Sequence, residues 1–250
     1  MNSLTDTNLI NRPVYDKIIF CKSQKSKFRK EGGELKQGIV LFLLVFFLLG
    51  TADDPGRSPF FAVHAQERER VIVAFGDSLT AGLGVAASEG YPAVLEEKLK
   101  EAGFSYRVVN SGVSGETTAG GLRRVDWVLR SRPEIVVLEL GANDGLRGLD
   151  LIQTEKNLAG IIERLQEAGV EVILAGMKMP PNYGKEYTEG FERIFPRLAA
   201  RYRLTLIPFF LDGVAAQSNL NQADGIHPTG QGYRVIVDRI WPIIKPLLKK

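Results

Sequence analysis

Residues 71–82 read VIVAFGDSLTAG, and in this stretch five apolar residues run directly into a polar turn that contains two glycines. The apolar run at 71–75 predicts a short strand that is buried on both faces. Four more short runs rich in β-branched residues occur further along the chain, at 107–109, 135–140, 172–175 and 204–207. Five strands are therefore predicted.

Segments with helical spacing separate these strands. Leu158, Ile161, Ile162 and Leu165 recur at i, i+3, i+4 and i+7, which places them on one face of a helix. The other predicted helices span 91–102, 117–129, 191–202 and 229 to about 248, and prolines should fray the last one. Alternation of strands and helices predicts a parallel sheet covered on both faces. The fold class is α/β, a three-layer α/β/α sandwich.

Polar, glycine-bearing turns follow the first three strands, and sites in such sheets form at the carboxyl ends of the strands. The turns are residues 76–82 (GDSLTAG), 110–115 (NSGVSG) and 141–145 (GANDG). A fourth polar segment, residues 224–228 (DGIHP), precedes the last helix. We expect these four segments to lie at one edge of the sheet.

Together these segments contain the groups needed for acyl transfer. The hydroxyl of Ser78 is a weak nucleophile that needs a base, and His227 is the only imidazole outside the N-terminal tail. Asp224, three residues earlier, is close enough to orient that imidazole. The backbone N–H groups of Ser78 and Gly112 and the side-chain amide of Asn143 are candidate donors to the oxyanion of a tetrahedral intermediate.

The four segments resemble, in order and in spacing, the sequence blocks of the SGNH hydrolases, also called the GDSL esterase/lipase family, over residues 70–248. The resemblance implies Ser78 as nucleophile, His227 as base and Asp224 as orienting acid. It also implies an oxyanion hole of Ser78, Gly112 and Asn143, a flavodoxin-like sheet and no cofactor. The chain departs from the G-x-S-x-G pattern of α/β-hydrolases, because a threonine stands two residues after the serine.

The same resemblance implies that residues 145–150 and 178–183 border the acyl chain, with Leu146, Met179, Pro181 and Tyr183 as candidate contacts. The expected protein is a serine esterase that acts through an acyl-enzyme on aryl esters, acyl esters, acyl thioesters or lysophospholipids. One alternative is a carbohydrate O-acetylesterase of the same family, which would favour a polar, open cleft. Another is a non-catalytic secreted binding module.

Charge and rare residues argue against other classes. Residues 1–65 contain 9 of the 32 Lys+Arg and 6 of the 29 Asp+Glu, which leaves 23 of each, and no net charge, for residues 66–250. A neutral body offers no electrostatic surface for nucleic acid. With Cys21 in the tail and a single histidine beyond it, no metal site is expected. The arginines of the second helix are expected on a solvent-exposed face: Arg123, Arg124 and Arg130.

Residues 1–65 form a predicted N-terminal tail, and residues 66–250 form a single predicted hydrolase domain. The tail contains the apolar run IVLFLLVFFLL at 39–49, which is short for a membrane-spanning helix and typical of a secretory signal. The small residues at 62–65 offer a cleavage site, and an uncleaved anchor is the alternative. Both alternatives predict an exported protein, periplasmic or secreted, and only an uncleaved segment would contact the membrane.

Overall fold

The computed structural model describes residues 69–250, so the predicted tail, apolar run and cleavage site lie outside the described residues. Within this range five strands form one parallel sheet: β1 (Arg70–Gly76), β2 (Tyr106–Gly112), β3 (Ile135–Glu139), β4 (Glu171–Ala175) and β5 (Thr205–Ile207). Their order is β2-β1-β3-β4-β5. The strand order therefore reverses beside β1, and ligands in such sheets bind at the carboxyl ends of the strands that flank this reversal.

The apolar runs that predicted the strands form the interior of the sheet. Val73 of β1 pairs with Val109 of β2 on one side and with Val136 of β3 on the other. All residues from Val71 to Phe75 are buried. Both faces of β1 are covered, which explains why its apolar run is continuous rather than alternating.

Helices cover both faces of the sheet, which confirms the predicted three-layer α/β fold. Along residues 69–250 they are α1 (Ser78–Ala81), α2 (Tyr91–Glu101), α3 (Thr118–Leu129), α4 (Ala142–Leu146), α5 (Leu151–Glu167), α6 (Lys185–Tyr202) and α7 (Gly230–Ile244), with 3₁₀ turns at Pro181–Tyr183 and Lys245–Leu247. Helix α5 packs against α3 and α6, whereas α2 packs against α7. None of the helices in the described part of the chain is long and apolar enough to cross a membrane.

Two of the predicted turns are short helices instead. Residues 78–81 form α1 because the Asp77 carboxylate caps its first turn, and residues 142–146 form α4. Neither helix is long enough to show an apolar period, so the pattern could not predict them.

Two other boundaries differ from the prediction. Strand β2 continues through Gly112, so the beginning of the NSGVSG segment is strand rather than turn. Helix α6 begins at Lys185, well before the predicted residue 191. The apolar pattern missed this start because the first residues of the helix are mostly polar. The last helix ends at Ile244, and the chain passes into a 3₁₀ turn that contains the second proline.

Candidate active site

The polar segments meet at the carboxyl edge of the sheet. Ser78 begins α1 directly after β1, and Asn143 lies in α4 directly after β3. Asp224 and His227 lie in the loop that leads into α7. Residues far apart in sequence therefore contact each other across this edge.

Ser78, His227 and Asp224 form a continuous chain of polar contacts. The Nε2 atom of His227 lies 2.9 Å from Ser78 Oγ, and its Nδ1 atom lies 2.7 Å from Asp224 Oδ2. Because an ionised carboxylate can only accept, we assign the ring proton to Nδ1, which leaves Nε2 to accept from the serine hydroxyl. This is the geometry of a nucleophile, a general base and a group that orients the base.

The loop itself holds Asp224 in place. Its Oδ1 atom accepts backbone N–H bonds from Ile226 at 2.9 Å and from His227 at 3.0 Å. The backbone and side-chain hydrogen bonds from His227, in that order, lower the pKa of Asp224 to about 2. The carboxylate is therefore ionised at neutral pH and able to stabilise a protonated imidazole.

Helix α1 positions the serine and its backbone N–H. The carboxylate of Asp77 accepts from Leu79 N at 3.0 Å, and Gly82 ends the helix in the left-handed conformation, with φ of 77°. Ser78 is the first helical residue, so its N–H has no partner within the helix. This donor is available to a developing oxyanion beside the hydroxyl.

The side chain of Asn143 is held by a hydrogen bond, and the helix that contains it is held by the residue that follows. Its Nδ2 atom donates to Asp77 Oδ2 at 2.9 Å, and the second hydrogen on that nitrogen remains for another acceptor. The next residue, Asp144, is buried and accepts from Thr118 N at 2.8 Å and from Thr118 Oγ1 at 2.6 Å. Helix α4 is thereby tied to the start of α3, which fixes the orientation of the Asn143 amide.

Gly112 allows two backbone segments to approach closely. A Cβ at this position would lie 2.1 Å from the backbone nitrogen of Ala81, so only glycine lets the end of β2 pass against α1. Its N–H, however, donates to Asn110 Oδ1 at 2.9 Å, which counts against its predicted role as an oxyanion donor. Gly115 in the same segment has a φ of 77°, and its N–H has no hydrogen-bond partner among residues 69–250. The motif NSGVSG contains both glycines, and sequence spacing alone did not separate them.

Arg124 is not on a solvent-exposed face, in contrast to the prediction. Its guanidinium is largely buried, pairs with Glu116, and donates to the carbonyl oxygens of Ser111 at 2.8 Å and Gly76 at 3.2 Å. It also lies over the ring of Phe75, 4.5 Å from the centroid. The side chain therefore links the ends of β1 and β2 to the segment that contains Gly115. Arg123 and Arg130 are exposed, as expected.

Three of the four candidate acyl contacts lie together. The Tyr183 hydroxyl donates to the carbonyl oxygen of Leu146 at 3.0 Å, and the Met179 sulfur would lie 2.4 Å from a Cβ at Gly145. Pro181 is exposed at the start of the same 3₁₀ turn as Tyr183.

Large apolar side chains are exposed next to the reactive groups. They are Leu83 after α1, Val113 beside Gly112 and Ile226 beside His227, each more than two-fifths exposed. Within the described residues no cluster of acidic, histidine or cysteine side chains is arranged to hold a metal ion. Apolar side chains are therefore exposed close in sequence to the candidate catalytic residues.

Comparison with known proteins places the chain among lipolytic enzymes. Residues 74–235 match the GDSL-like lipase/acylhydrolase family. The chain is 42% identical to Esterase TesA of Pseudomonas aeruginosa over 184 residues, which cover 73% of this chain and 92% of that protein. It is 38% identical to thioesterase 1/protease 1/lysophospholipase L1 of Escherichia coli (strain K12), over 71% of this chain and 84% of that protein.

Solved structures give the same result. The crystal structure of TesA superposes with a TM-score of 0.69 at 43% identity and covers 72% of this chain and all of that one. The SGNH-hydrolase family esterase AlinE4 superposes with a TM-score of 0.61 at 45% identity, over 73% of this chain and 98% of that one. The motifs, the sheet topology and these matches agree, and the chain therefore belongs to the GDSL-like lipase/acylhydrolase family, the SGNH hydrolases.

Proposed function

We propose that this protein is a serine esterase that hydrolyses carboxylic ester and thioester bonds through an acyl-enzyme. The observation that carries the proposal is the short path from Ser78 Oγ through the imidazole of His227 to Asp224, with contacts of 2.9 and 2.7 Å. The names of the relatives, which are esterase, arylesterase and thioesterase/lysophospholipase, support the same chemistry.

In the first half-reaction Ser78 Oγ attacks the substrate carbonyl carbon while Nε2 of His227 takes the hydroxyl proton. Asp224 keeps the ring oriented and stabilises the imidazolium that forms. When the tetrahedral intermediate collapses, the imidazolium returns the proton to the departing alcohol or thiol and leaves an acyl-serine. In the second half-reaction, water, deprotonated by the same imidazole, releases the carboxylic acid and restores the hydroxyl.

The negative charge on the carbonyl oxygen needs donors that are already in place. The N–H of Ser78 and the second amide hydrogen of Asn143 are suited to this role. We assign the third donor to Gly115 rather than Gly112, because the Gly112 N–H is bonded to Asn110. Removing one such donor typically lowers kcat about 10²–10³-fold.

The exposed apolar side chains near the candidate catalytic residues favour substrates with acyl or aryl groups over acetylated sugars. Leu83, Val113 and Ile226 expose apolar surface beside the reactive groups, and a sugar would instead need polar partners there. We infer that Leu146, Met179 and Tyr183 contact the acyl chain. Among the four candidate contacts Pro181 has the least support, because it is exposed. The carbohydrate O-acetylesterase remains the second candidate only through family membership.

The test compares Ser78→Ala with wild type on p-nitrophenyl butyrate, an acyl-CoA, a lysophospholipid and an acetylated sugar. We expect Ser78→Ala to abolish hydrolysis with an unchanged circular dichroism spectrum, and Ser105→Ala, at an exposed position, to retain it. An aryl phosphonate should label wild type but not Ser78→Ala. Turnover in Ser78→Ala would overturn the proposal, and activity on the acetylated sugar alone would select the second candidate.

We also propose that the protein is exported, on the basis of the apolar run at 39–49 and the small residues that follow it. Amino-terminal sequencing of the protein from the periplasm or culture medium tests this proposal. An N-terminus close to residue 66 is the expected result. An intact residue 1 on membranes would indicate an uncleaved anchor, and enzyme confined to the cytoplasm would contradict export.

A further inference from the structure

A buried carboxyl group that the mechanism does not use contacts the residues on either side of the nucleophile. Glu139 ends β3, pairs with Gly76 of β1, and is 1% exposed. Its Oε2 atom accepts from the hydroxyl of Thr80 in α1 at 2.8 Å and lies 3.4 Å from the backbone nitrogen of Asp77. A Cβ on Gly76 would lie 2.0 Å from Thr80 Oγ1 and 2.5 Å from Glu139 Oε2, so this contact occupies the space that the glycine leaves.

A second contact runs parallel to the first. Asn143, four residues after Glu139, donates to Asp77 Oδ2 at 2.9 Å, and Asp77 is itself 1% exposed. The end of β3 and the start of α4 are therefore joined at two points to α1 and its N-cap residue, on either side of Ser78 in sequence. One contact reaches Thr80 and the other reaches Asp77.

The surroundings of Glu139 disfavour its charge. Burial, followed by the charge of Asp77, raises the pKa of Glu139 well above its ordinary value, and burial raises the pKa of Asp77 to about 6. The other titratable groups close enough to act on this pair are the phenols of Tyr91 and Tyr233 and the imidazole of His227. Neither carboxyl pairs with a lysine or arginine in the described part of the chain. Both effects, burial and the charge of Asp77, favour the protonated form of Glu139.

We propose that Glu139 is a positioning residue for hydrolysis: its contacts with Thr80 and Asp77 set the distance between the Ser78 hydroxyl and N–H on α1 and the Asn143 amide on α4. This inference rests on the proposed function, since it assumes that Ser78 is the nucleophile. The acyl oxygen must fit between donors on two separate helices, and two hydrogen-bonded contacts hold those helices at a fixed separation. A misplacement of about 1 Å in such a site costs on the order of 10²-fold in rate.

A residue needed only for stability would behave differently. Replacing a buried polar network by well-packed apolar side chains is often neutral or stabilising. Glu139→Leu together with Thr80→Val removes both ends of the contact, so neither position keeps a buried polar side chain whose partner has been deleted. A positioning role predicts slow catalysis in a stable protein, whereas a purely structural role predicts loss of stability with kcat per folded molecule unchanged.

The experiment measures kcat, KM and Tm for Glu139→Leu, Thr80→Val, the double variant and Glu139→Gln. The control is Glu134→Gln, which replaces the glutamate immediately before the first residue of β3. We expect kcat about 10–100-fold lower in Glu139→Leu and in the double variant, with KM within about twofold. Glu139→Gln, which has the shape of the neutral acid and keeps an acceptor for Thr80, should restore kcat to within about threefold of wild type. The affinity for an aryl boronic acid, which mimics the tetrahedral intermediate, should fall in proportion to kcat/KM.

Wild-type kcat in the double variant would overturn the inference, and so would a Glu139→Gln variant as slow as Glu139→Leu. If Glu139→Leu fails to fold, Thr80→Val still decides, because its isosteric side chain removes the hydrogen bond from Thr80 to Glu139. We expect a lower kcat in Thr80→Val, and a wild-type kcat there would overturn the inference. Ser78→Ala distinguishes the two levels of argument. Loss of activity in Ser78→Ala with unaffected Glu139 variants refutes the positioning role alone, whereas activity in Ser78→Ala refutes the proposed function.

Discussion

The close contact between β2 and α1 makes Gly112→Ala a sharp test of how the nucleophile is positioned. The added Cβ would lie 2.1 Å from Ala81 N and 2.6 Å from Ala81 Cα and Thr80 C. All three are backbone atoms, so no side chain can rotate away to relieve the overlap. Restoring an ordinary contact requires a displacement of roughly 1 Å, and α1, which begins with Ser78, is the shorter and more easily moved partner.

That displacement sets the size of the expected effect. The hydrogen bond between Ser78 Oγ and His227 Nε2 is 2.9 Å long, and a 1 Å shift would break it or misdirect it. We expect kcat on p-nitrophenyl butyrate to fall about 100-fold, with a smaller change in KM. Overpacking of this kind costs about 1–3 kcal/mol, which corresponds to a Tm lower by about 5 °C.

The assay is steady-state kinetics combined with thermal unfolding followed by circular dichroism. Gly160→Ala in α5 is the matched control, because its Cβ would meet only the two terminal methyls of Leu122, at 3.1 and 3.7 Å. Removing a glycine from a helix interior should leave kcat unchanged and Tm equal or higher. A Gly112→Ala enzyme with the kcat and Tm of wild type would refute the steric argument.

Three further predictions concern the charges around the site. Asp224→Asn should lower kcat about 10³–10⁴-fold, as loss of the orienting carboxylate does in other Ser-His-Asp enzymes, with little change in Tm because the side chain is 46% exposed; a loss below tenfold in pNP-butyrate kinetics would contradict this role. Arg124→Met should lower the free energy of unfolding, measured with urea, by about 3 kcal/mol, because it leaves the buried Glu116 carboxylate unpaired. Arg123→Met, at an exposed position, should leave it unchanged. Equal effects of the two variants would show that the ion pair contributes nothing. A carboxyl whose pKa is raised by folding keeps its proton at a pH where the unfolded chain has lost it, so its contribution to stability falls as pH rises. The Tm of wild type minus that of Glu139→Gln should therefore fall as pH rises above about 4.5. A Tm difference independent of pH would mean that Glu139 is not protonated in the fold.

The sequence predicted which candidate residues come together better than it predicted their surroundings. Ser78, His227 and Asp224 are recognisable because few residue types can provide a nucleophile, a base and an orienting acid, and because each stands in a polar segment beside a predicted element. Nothing in the sequence singled out Glu139, because a polar residue at the end of an apolar strand is an ordinary feature of a strand boundary. Arg124 stands beside an exposed arginine, and which of the two is buried depends on the angle of the whole helix.

Sequence alone determined the strand–helix alternation, the parallel sheet and the set of chemical groups, because these follow from local apolar periodicity and from residue type. Tertiary structure alone decided which donors are available. The N–H of Gly112 is bonded to Asn110 and that of Gly115 is not, although the two glycines stand in one motif. The physical reason is that availability depends on distances of about 3 Å between atoms from separate segments, and no spacing along one chain encodes such distances.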